Sequence, residues 1–351
     1  MPWPILGTTY RHPASFCGAS VPSKRCLNWQ VVQGGGREWS FSQLNRGILN
    51  LMDKQIITDH IAGCLFGGAI GDALGLPYEG VGGPRVTLPE EWRLSDDTQL
   101  TVATCEGILD AGVVHPAVIA NRFREWFHQG RVTGIGSSTL KALRDLDQGV
   151  HWAMAGSTGE RAAGNGAAMR AAPLAFFLDP AKYDDRQTIR EVARITHRHD
   201  EAYAGALAVV TAVRTVLNPA WEWSRSLAAE VANALPDTVV RDRLQALAAL
   251  PPETPTVEVA VEFGCSGYVA DSIPLAIFAV QGVPLRGFAG MLRDIITAGG
   301  DTDTNAAIAG QIAGTWLGYE RLPVDLVQRV PEREYLLSMA ERLAVIAPID
   351  R

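Results

Sequence analysis

From residue 53 onward the chain keeps a helical rhythm. In DKQIITDHIAGCLFGGAIGDALGL, Ile57, Ile61 and Leu65 recur at helical spacing, with Ile70 and Leu74 slightly offset. Gly63, Gly67, Gly71 and Gly75 share one i, i+4 row. Glycine costs a helix about 0.8–1 kcal/mol per residue relative to alanine, so four on one face predict close approach of another backbone. NAAIAGQIAGTWLGYE repeats the device with Gly310, Gly314 and Gly318, and the two segments are expected to pack as a central helix pair. Stretches rich in Ala, Leu, Arg and Glu predict further helices at 99–111, 115–128, 137–147, 184–194, 201–217, 222–234, 239–250 and 334–346. A helix is also expected over 305–318, and GYVADSIPLAIFAV at 267–280 reads as a buried helix interrupted by Pro274. Its Asp271 and Ser272 would then need partners or a ligand. No run of alternating strands occurs, so the expected fold class is all-α.

Residues 1–52 lack this rhythm. Pro2, Pro4, Pro13, Pro22 and the Gly34–Gly36 run predict an irregular extension ahead of one domain over 53–351, although 39–52 could form a short helix. Its aromatics (Trp3, Tyr10, Phe16, Trp29, Trp39, Phe41) exceed what a solvated tail carries, so a partner-binding arm stands beside the plainer reading of a disordered tail or of an upstream start with Met52 as the alternative beginning. The start is a poor signal peptide, and IAGCLFGGAIG at 61–71 falls short of the roughly 20 apolar residues of a spanning helix. With 47% hydrophobic residues among 351 the chain can bury a large core. A net charge of −7 argues against a nucleic-acid or membrane partner. Five scattered cysteines, without a Cys-x-x-Cys pair, indicate neither zinc knuckle nor disulfide scaffold and fit a cytoplasmic location.

Two clusters change the picture: SDDT at 95–98 and GGDTDTN at 299–305. Ser95 or Asp96 could cap a helix starting near Gln99, and Asp301 or Asp303 could cap the one at 305–318. A cap needs one oxygen. Each cluster offers at least three, and crowded carboxylates repel unless a positive charge sits among them. Carboxylate and hydroxyl ligands suit Mg²⁺ or Mn²⁺ better than zinc, and two ions sharing aspartates are the simplest account. GNGAAMR at 164–170 is a glycine-bounded loop expected to run into a helix whose N-terminus favours an anion, against the plainer reading of a turn. ITHRHDEA places His197 and His199 ahead of a helix, without the spacing of a helical zinc site.

In order, GCLFGGAIGDALGLPYEG, SDDTQLTVAT, GIGSSTLKAL, GNGAAMRAAPLA, ITHRHDEAYAGALA, GYVADSIPLAI and AGGDTDTNAAIAGQIAGTWLG resemble the ADP-ribosylglycohydrolase family over about 63–318. The resemblance implies a compact orthogonal multi-helix domain with two Mg²⁺, or Mn²⁺, held by Ser95, Asp96, Asp97, Asp301, Asp303 and Thr304. It implies Glu79 beside the metals, with Asp97 or Asp303 as the base. Gly134, Ile135, Gly136, Ser137, Asn165, Gly166, Met169 and His197 would contact ADP-ribose. The implied activity is hydrolysis of mono-ADP-ribose from a modified protein arginine. In some members an extension also plugs an ADP-ribosyltransferase toxin, as an immunity protein. Serine-linked or O-acetyl conjugates, and a non-catalytic role, stay open. Ala167 and Arg198 depart from the family pattern and bear on substrate preference.

Overall fold

The computed structural model describes residues 41–81 and 85–348, with 41–52 described by backbone alone. In chain order the helices are α1 (Phe41–Gly75), α2 (Asp96–Ala111), α3 (Pro116–His128), α4 (Ser137–Asp147) and the short α5 (Trp152–Ala155). A run of 3-10 turns leads to α6 (Tyr183–Arg194), α7 (Asp200–Leu217), α8 (Leu227–Ala234), α9 (Val239–Ala248) and α10 (Thr256–Phe263). Then come α11 (Val269–Val280), α12 (Val283–Ala298), α13 (Thr302–Leu317), α14 (Val324–Val327) and α15 (Arg333–Ile346). Among the described residues the only β pairing is two isolated bridges, so the fold is all-α.

The glycine rows do what their spacing predicts. Gly63, Gly67 and Gly71 of α1 face Gly314, Gly310 and Ala306 of α13, so the helices run antiparallel. A Cβ on Gly67 would stand 2.1 Å from the Gly310 carbonyl oxygen, and one on Gly314 would stand 2.0 Å from that of Gly63. Gly318 does not belong to the row. With φ 76° it terminates α13, and Ala306 takes the third place. Residues 61–75 are all buried. The span Asp53–Tyr78 has the length and hydropathy of a membrane segment, yet 83% of its apolar window is buried inside the fold. α2 and α15 pack on α1, while α7, α11 and α12 pack on α13. Cys64 and Cys105 are fully buried, as small core residues.

Several boundaries move. The helix expected at 39–52 is the first part of α1 rather than a separate element, and residues 1–40 lie outside the described residues. α2 starts at Asp96, ahead of Gln99, with Ser95 as its N-cap. α8 begins at Leu227 instead of 222, because the Ser226 hydroxyl caps it and Trp221 and Trp223 form an edge-to-face chain onto Trp316. α10 and α12 have no counterpart in the periodicity. α10 is only eight residues long, and α12 is broken at Gly287, where φ is 68°. α11 runs through Pro274 without interruption. Proline cannot bond the Ala270 carbonyl, and Arg243 Nη1 donates to that oxygen instead, at 2.9 Å. Arg243 and Ser266 also donate to Asp271, and Ser272 donates to the Tyr268 carbonyl, so protein groups partner both polar residues.

Candidate active site

Three helix ends meet where the two acidic clusters come together. α1 contributes Asp72, which carried no chemistry in the sequence reading. It is fully buried and accepts from the Ser95 amide at 3.0 Å, the Thr98 amide at 3.2 Å and the Thr98 hydroxyl at 2.6 Å. The first amides of a helix lack intrahelical partners, so a carboxylate from α1 satisfies the start of α2 from outside. Asp97 Oδ2 accepts from Ser95 Oγ at 3.0 Å and from Thr304 Oγ1 at 3.2 Å, which joins α2 to α13. The Thr302 hydroxyl donates to the Gly75 carbonyl at 2.8 Å, and a Cβ on Gly75 would stand 2.6 Å from Asp303 Cα. The close helix pair therefore sets the distance between Asp72 and Asp303. Asp72, Asp97 and Asp303 each offer a carboxylate oxygen within 4.8 Å of the others, and so do Glu79, Asp301 and Asp303.

Such crowding has an electrostatic signature. Burial first, then the charges of Asp303, Asp72, Asp96 and Asp301, hold the Asp97 carboxyl well above its ordinary range. Burial, then Asp72 and Asp301, push Asp96 up to about 8. Burial and Asp301 push Asp303 up to about 9, and burial pushes Asp72 up to about 6 despite its hydrogen bonds. Asp97 Oδ1 is buried without a hydrogen-bond partner. An orphaned carboxylate oxygen among mutually repelling carboxylates and hydroxyls is the donor set of a hard divalent cation, so these residues fit one. Ser95 and Asp301 fill the N-cap positions, yet Asp301 makes no side-chain cap bond, so capping does not account for the second cluster.

A cavity of about 430 Å³ opens over the cluster. Of the residues singled out in the sequence, Glu79, Asp96, Asp301, Asp303 and Thr304 line it, with Gly134, Gly136, Ser137, Asn165, Gly166, Met169 and His197. Three do not. Ser95 and Asp97 stand behind the wall, buried to 1% exposure, and Ile135 packs against the hydrophobic core. Ala167 and Arg198 are also absent from the lining. Ala167 is a core residue, and the amide of Arg198 donates to the Ser157 carbonyl. Glu79 is exposed, on a loop tied to the second cluster by a bond from the Gly80 amide to the Gly300 carbonyl at 2.9 Å.

The glycine loop does not run into an α-helix. Asn165–Ala167 is a single 3-10 turn, followed by another over Ala172–Phe176, so no helix N-terminus faces an anion there. The loop is instead fixed from three sides. Asn165 Nδ2 donates to Asp301 Oδ2 at 2.8 Å, and its amide donates to the Gly267 carbonyl at 3.1 Å. Gly166 is needed for packing, since a Cβ would stand 2.8 Å from both His197 Cε1 and Thr139 Oγ1. Beneath it Arg170, fully buried, donates to the carbonyls of Gly166 and Val192 and to the Thr196 hydroxyl. That hydroxyl and His197 Nδ1 share a hydrogen bond of 2.8 Å, which fixes the ring beside Gly166. Burial, then the charge of Arg170, push His197 down to about 3, so its ring is neutral. His199 is the N-cap of α7, its Nδ1 accepting from the Glu201 amide at 3.1 Å. The sequence reading missed Asp72 and Arg170 as supports, and Ser138, Thr139, Glu160, Arg161 and Tyr268 as lining. Asp72 left one signal, as the single charge in the apolar stretch 61–75.

The chain is similar to known proteins. The profile of the family described as ADP-ribosylglycohydrolase matches residues 53–348. An uncharacterized protein of Archaeoglobus fulgidus is 31% identical over 301 residues, covering 80% of this chain and 94% of its own. ADP-ribosylarginine hydrolase Tri1 of Pseudomonas putida is 26% identical over 319 residues, covering 83% of this chain and 79% of its own. A solved structure, of an ADP-ribosylglycohydrolase-related protein complex, superposes with a TM-score of 0.65 at 27% identity, over 84% of this chain and 100% of that one.

Proposed function

The chain belongs to the ADP-ribosylglycohydrolase family, and from that premise we propose that it cleaves the N-glycosidic bond between ADP-ribose and a protein arginine. The observation that carries this reading is the orphaned Asp97 oxygen among carboxylates from α1, α2 and α13, directly under a cavity walled by a glycine loop. Ser95, Asp96, Asp97, Asp301, Asp303 and Thr304 would hold two divalent cations, Mg²⁺ in first place and Mn²⁺ in second. When bound, such ions supply the positive charge that polarises a water and the ribose hydroxyls.

The remaining work falls to the chain. Asp303 faces the cavity whereas Asp97 stands behind it, so Asp303 takes the proton from the attacking water. The water oxygen bonds the anomeric carbon, the carbon–nitrogen bond of the cationic conjugate breaks, and its electron pair leaves on nitrogen as a neutral guanidine, which then takes up the proton held by Asp303 and departs as guanidinium. The neutral imidazole of His197 lines the cavity against the sugar phosphate and takes no part in proton transfer. The exposed carboxylate of Glu79 suits a guanidinium leaving group at the mouth. The resemblance to an arginine hydrolase supports the linkage.

Residues 1–52 precede the stretch matched by the family, and we assign them to a partner-binding arm for an ADP-ribosyltransferase toxin, in a cytoplasmic immunity protein. Alanine at Trp3, Tyr10, Phe16 and Trp29 in the full chain should abolish toxin capture and leave hydrolysis intact; unchanged capture overturns the assignment. The reaction is tested by release of ADP-ribose from arginine-modified and serine-modified protein, with Mg²⁺ and with EDTA. Metal-dependent release from arginine alone is expected, and should be lost in Asp97→Ala and Asp303→Ala. Release from serine alone, or release that survives either substitution, refutes the reading.

A further inference from the structure

Arg161 gives the cavity a charge that no other lining residue supplies. The lining carboxylates are Glu79, Asp96, Glu160, Asp301 and Asp303, and the one cationic side chain among the described lining residues is that of Arg161. It sits in the 3-10 turn Glu160–Ala162, which follows Gly159 at φ 83°. Ser138 Oγ donates to its carbonyl at 3.3 Å and so fastens the turn to the first turn of α4. α4 starts there with no acidic residue and no side-chain cap, and its Gly136, Ser137 and Ser138 line the same wall. The guanidinium is exposed and forms no ion pair among the described residues.

We propose that Arg161 is the residue by which this cavity grips the diphosphate of ADP-ribose, selecting conjugates that carry that charge. The inference rests on the ADP-ribose reading above. A diphosphate entering a carboxylate-lined cavity meets repulsion that uncharged backbone amides relieve only in part. The cations inferred at the aspartate cluster offset the charge of Asp96, Asp301 and Asp303, while Glu160 stays beside the entrance. A guanidinium presents a rigid fork of donors matched to phosphate oxygens, and an ionised pair of this kind is about twice as strong as a neutral hydrogen bond. Its exposed position makes the contact sensitive to salt.

The test uses the full chain with Mg²⁺, measuring free ADP-ribose affinity by calorimetry and turnover of ADP-ribosylarginine protein. Arg161→Ala should raise both the Kd for ADP-ribose and KM roughly tenfold to a hundredfold, the range of a charge-assisted hydrogen bond. It should leave kcat within about twofold and flatten the salt dependence of Kd, with Arg161→Lys recovering part of the loss. The melting temperature should not move, because the side chain is exposed and forms no ion pair among the described residues. A Kd in Arg161→Ala equal to wild type, or a fall in kcat at unchanged KM, overturns the proposal while wild-type hydrolysis leaves the function standing. A wild-type protein that binds no ADP-ribose overturns both.

Discussion

Replacing Gly67 by alanine adds one methyl group inside the close α1–α13 contact. Its Cβ would stand 2.1 Å from the Gly310 carbonyl oxygen and 2.9 Å from the carbonyl carbon, where ordinary contact begins at 3.4 Å. Both atoms are backbone on a hydrogen-bonded helix, so no rotamer change relieves the clash, and the helices must part by about 1.3 Å along the contact. Inserting a methylene into a packed core costs about 1–3 kcal/mol when side chains can give way, and here the cost falls at or above the top of that range. Alanine returns about 1 kcal/mol of helix propensity. The net loss is at least about 2 kcal/mol, which in a chain of this size lowers the melting temperature by roughly 3 °C or more. Urea unfolding followed by far-ultraviolet circular dichroism measures it, with Gly68→Ala as the comparison. There the new Cβ meets Gln311 Cγ at 2.7 Å, a side-chain atom that can move, so the loss should be smaller. Parting the helices also separates Asp72 from Asp303, so divalent-cation affinity should fall in Gly67→Ala more than in Gly68→Ala. A Gly67→Ala protein as stable as wild type, or more stable than Gly68→Ala, refutes the claim that backbone contact sets the spacing of the site.

Asp72→Ala strips acceptors from the Ser95 and Thr98 amides and the Thr98 hydroxyl, all buried. At about 1–3 kcal/mol per unsatisfied buried group, partly offset by relief of repulsion, a loss of roughly 2–5 kcal/mol is expected in urea unfolding with saturating Mg²⁺; less than about 1 kcal/mol refutes the role. Without metal, stability should depend on pH in a definite direction. Asp96 and Asp303 have folded pKa values raised to about 8 and about 9, so the stability present at low pH is lost as pH rises through those values. In EDTA the melting temperature should therefore fall between pH 6 and pH 9, and Mg²⁺ should restore it most at the alkaline end. A metal-free melting temperature that climbs over that window contradicts the assignment.

What could be read from the sequence is what rests on local spacing. Gly63, Gly67 and Gly71 announced a backbone contact because glycine has little other reason to recur every fourth residue of an apolar helix. The surplus of carboxylates in SDDT and GGDTDTN announced a cation for a similar reason, since one cap cannot use them all. What stayed hidden depends on which partner lies across the gap. Asp72 has the same local appearance as any polar residue at the edge of an apolar run, and only the approach of α2 turns it into the acceptor for Ser95 and Thr98. The GNG loop matched a helix start by composition, yet Asp301, Gly267 and Arg170 bond it into a 3-10 turn. Ile135 belongs to the right segment but packs on the core, because a loop has no fixed period from which the side a residue faces could be read. The two kinds of feature meet at one place. Gly75, the last of the α1 row, lies against Asp303 Cα, so the glycine row that packs the core also brings α1 up to the second acidic cluster. A larger residue at Gly63, Gly67 or Gly71 would act on the site through the distance between α1 and α13, without touching a ligand.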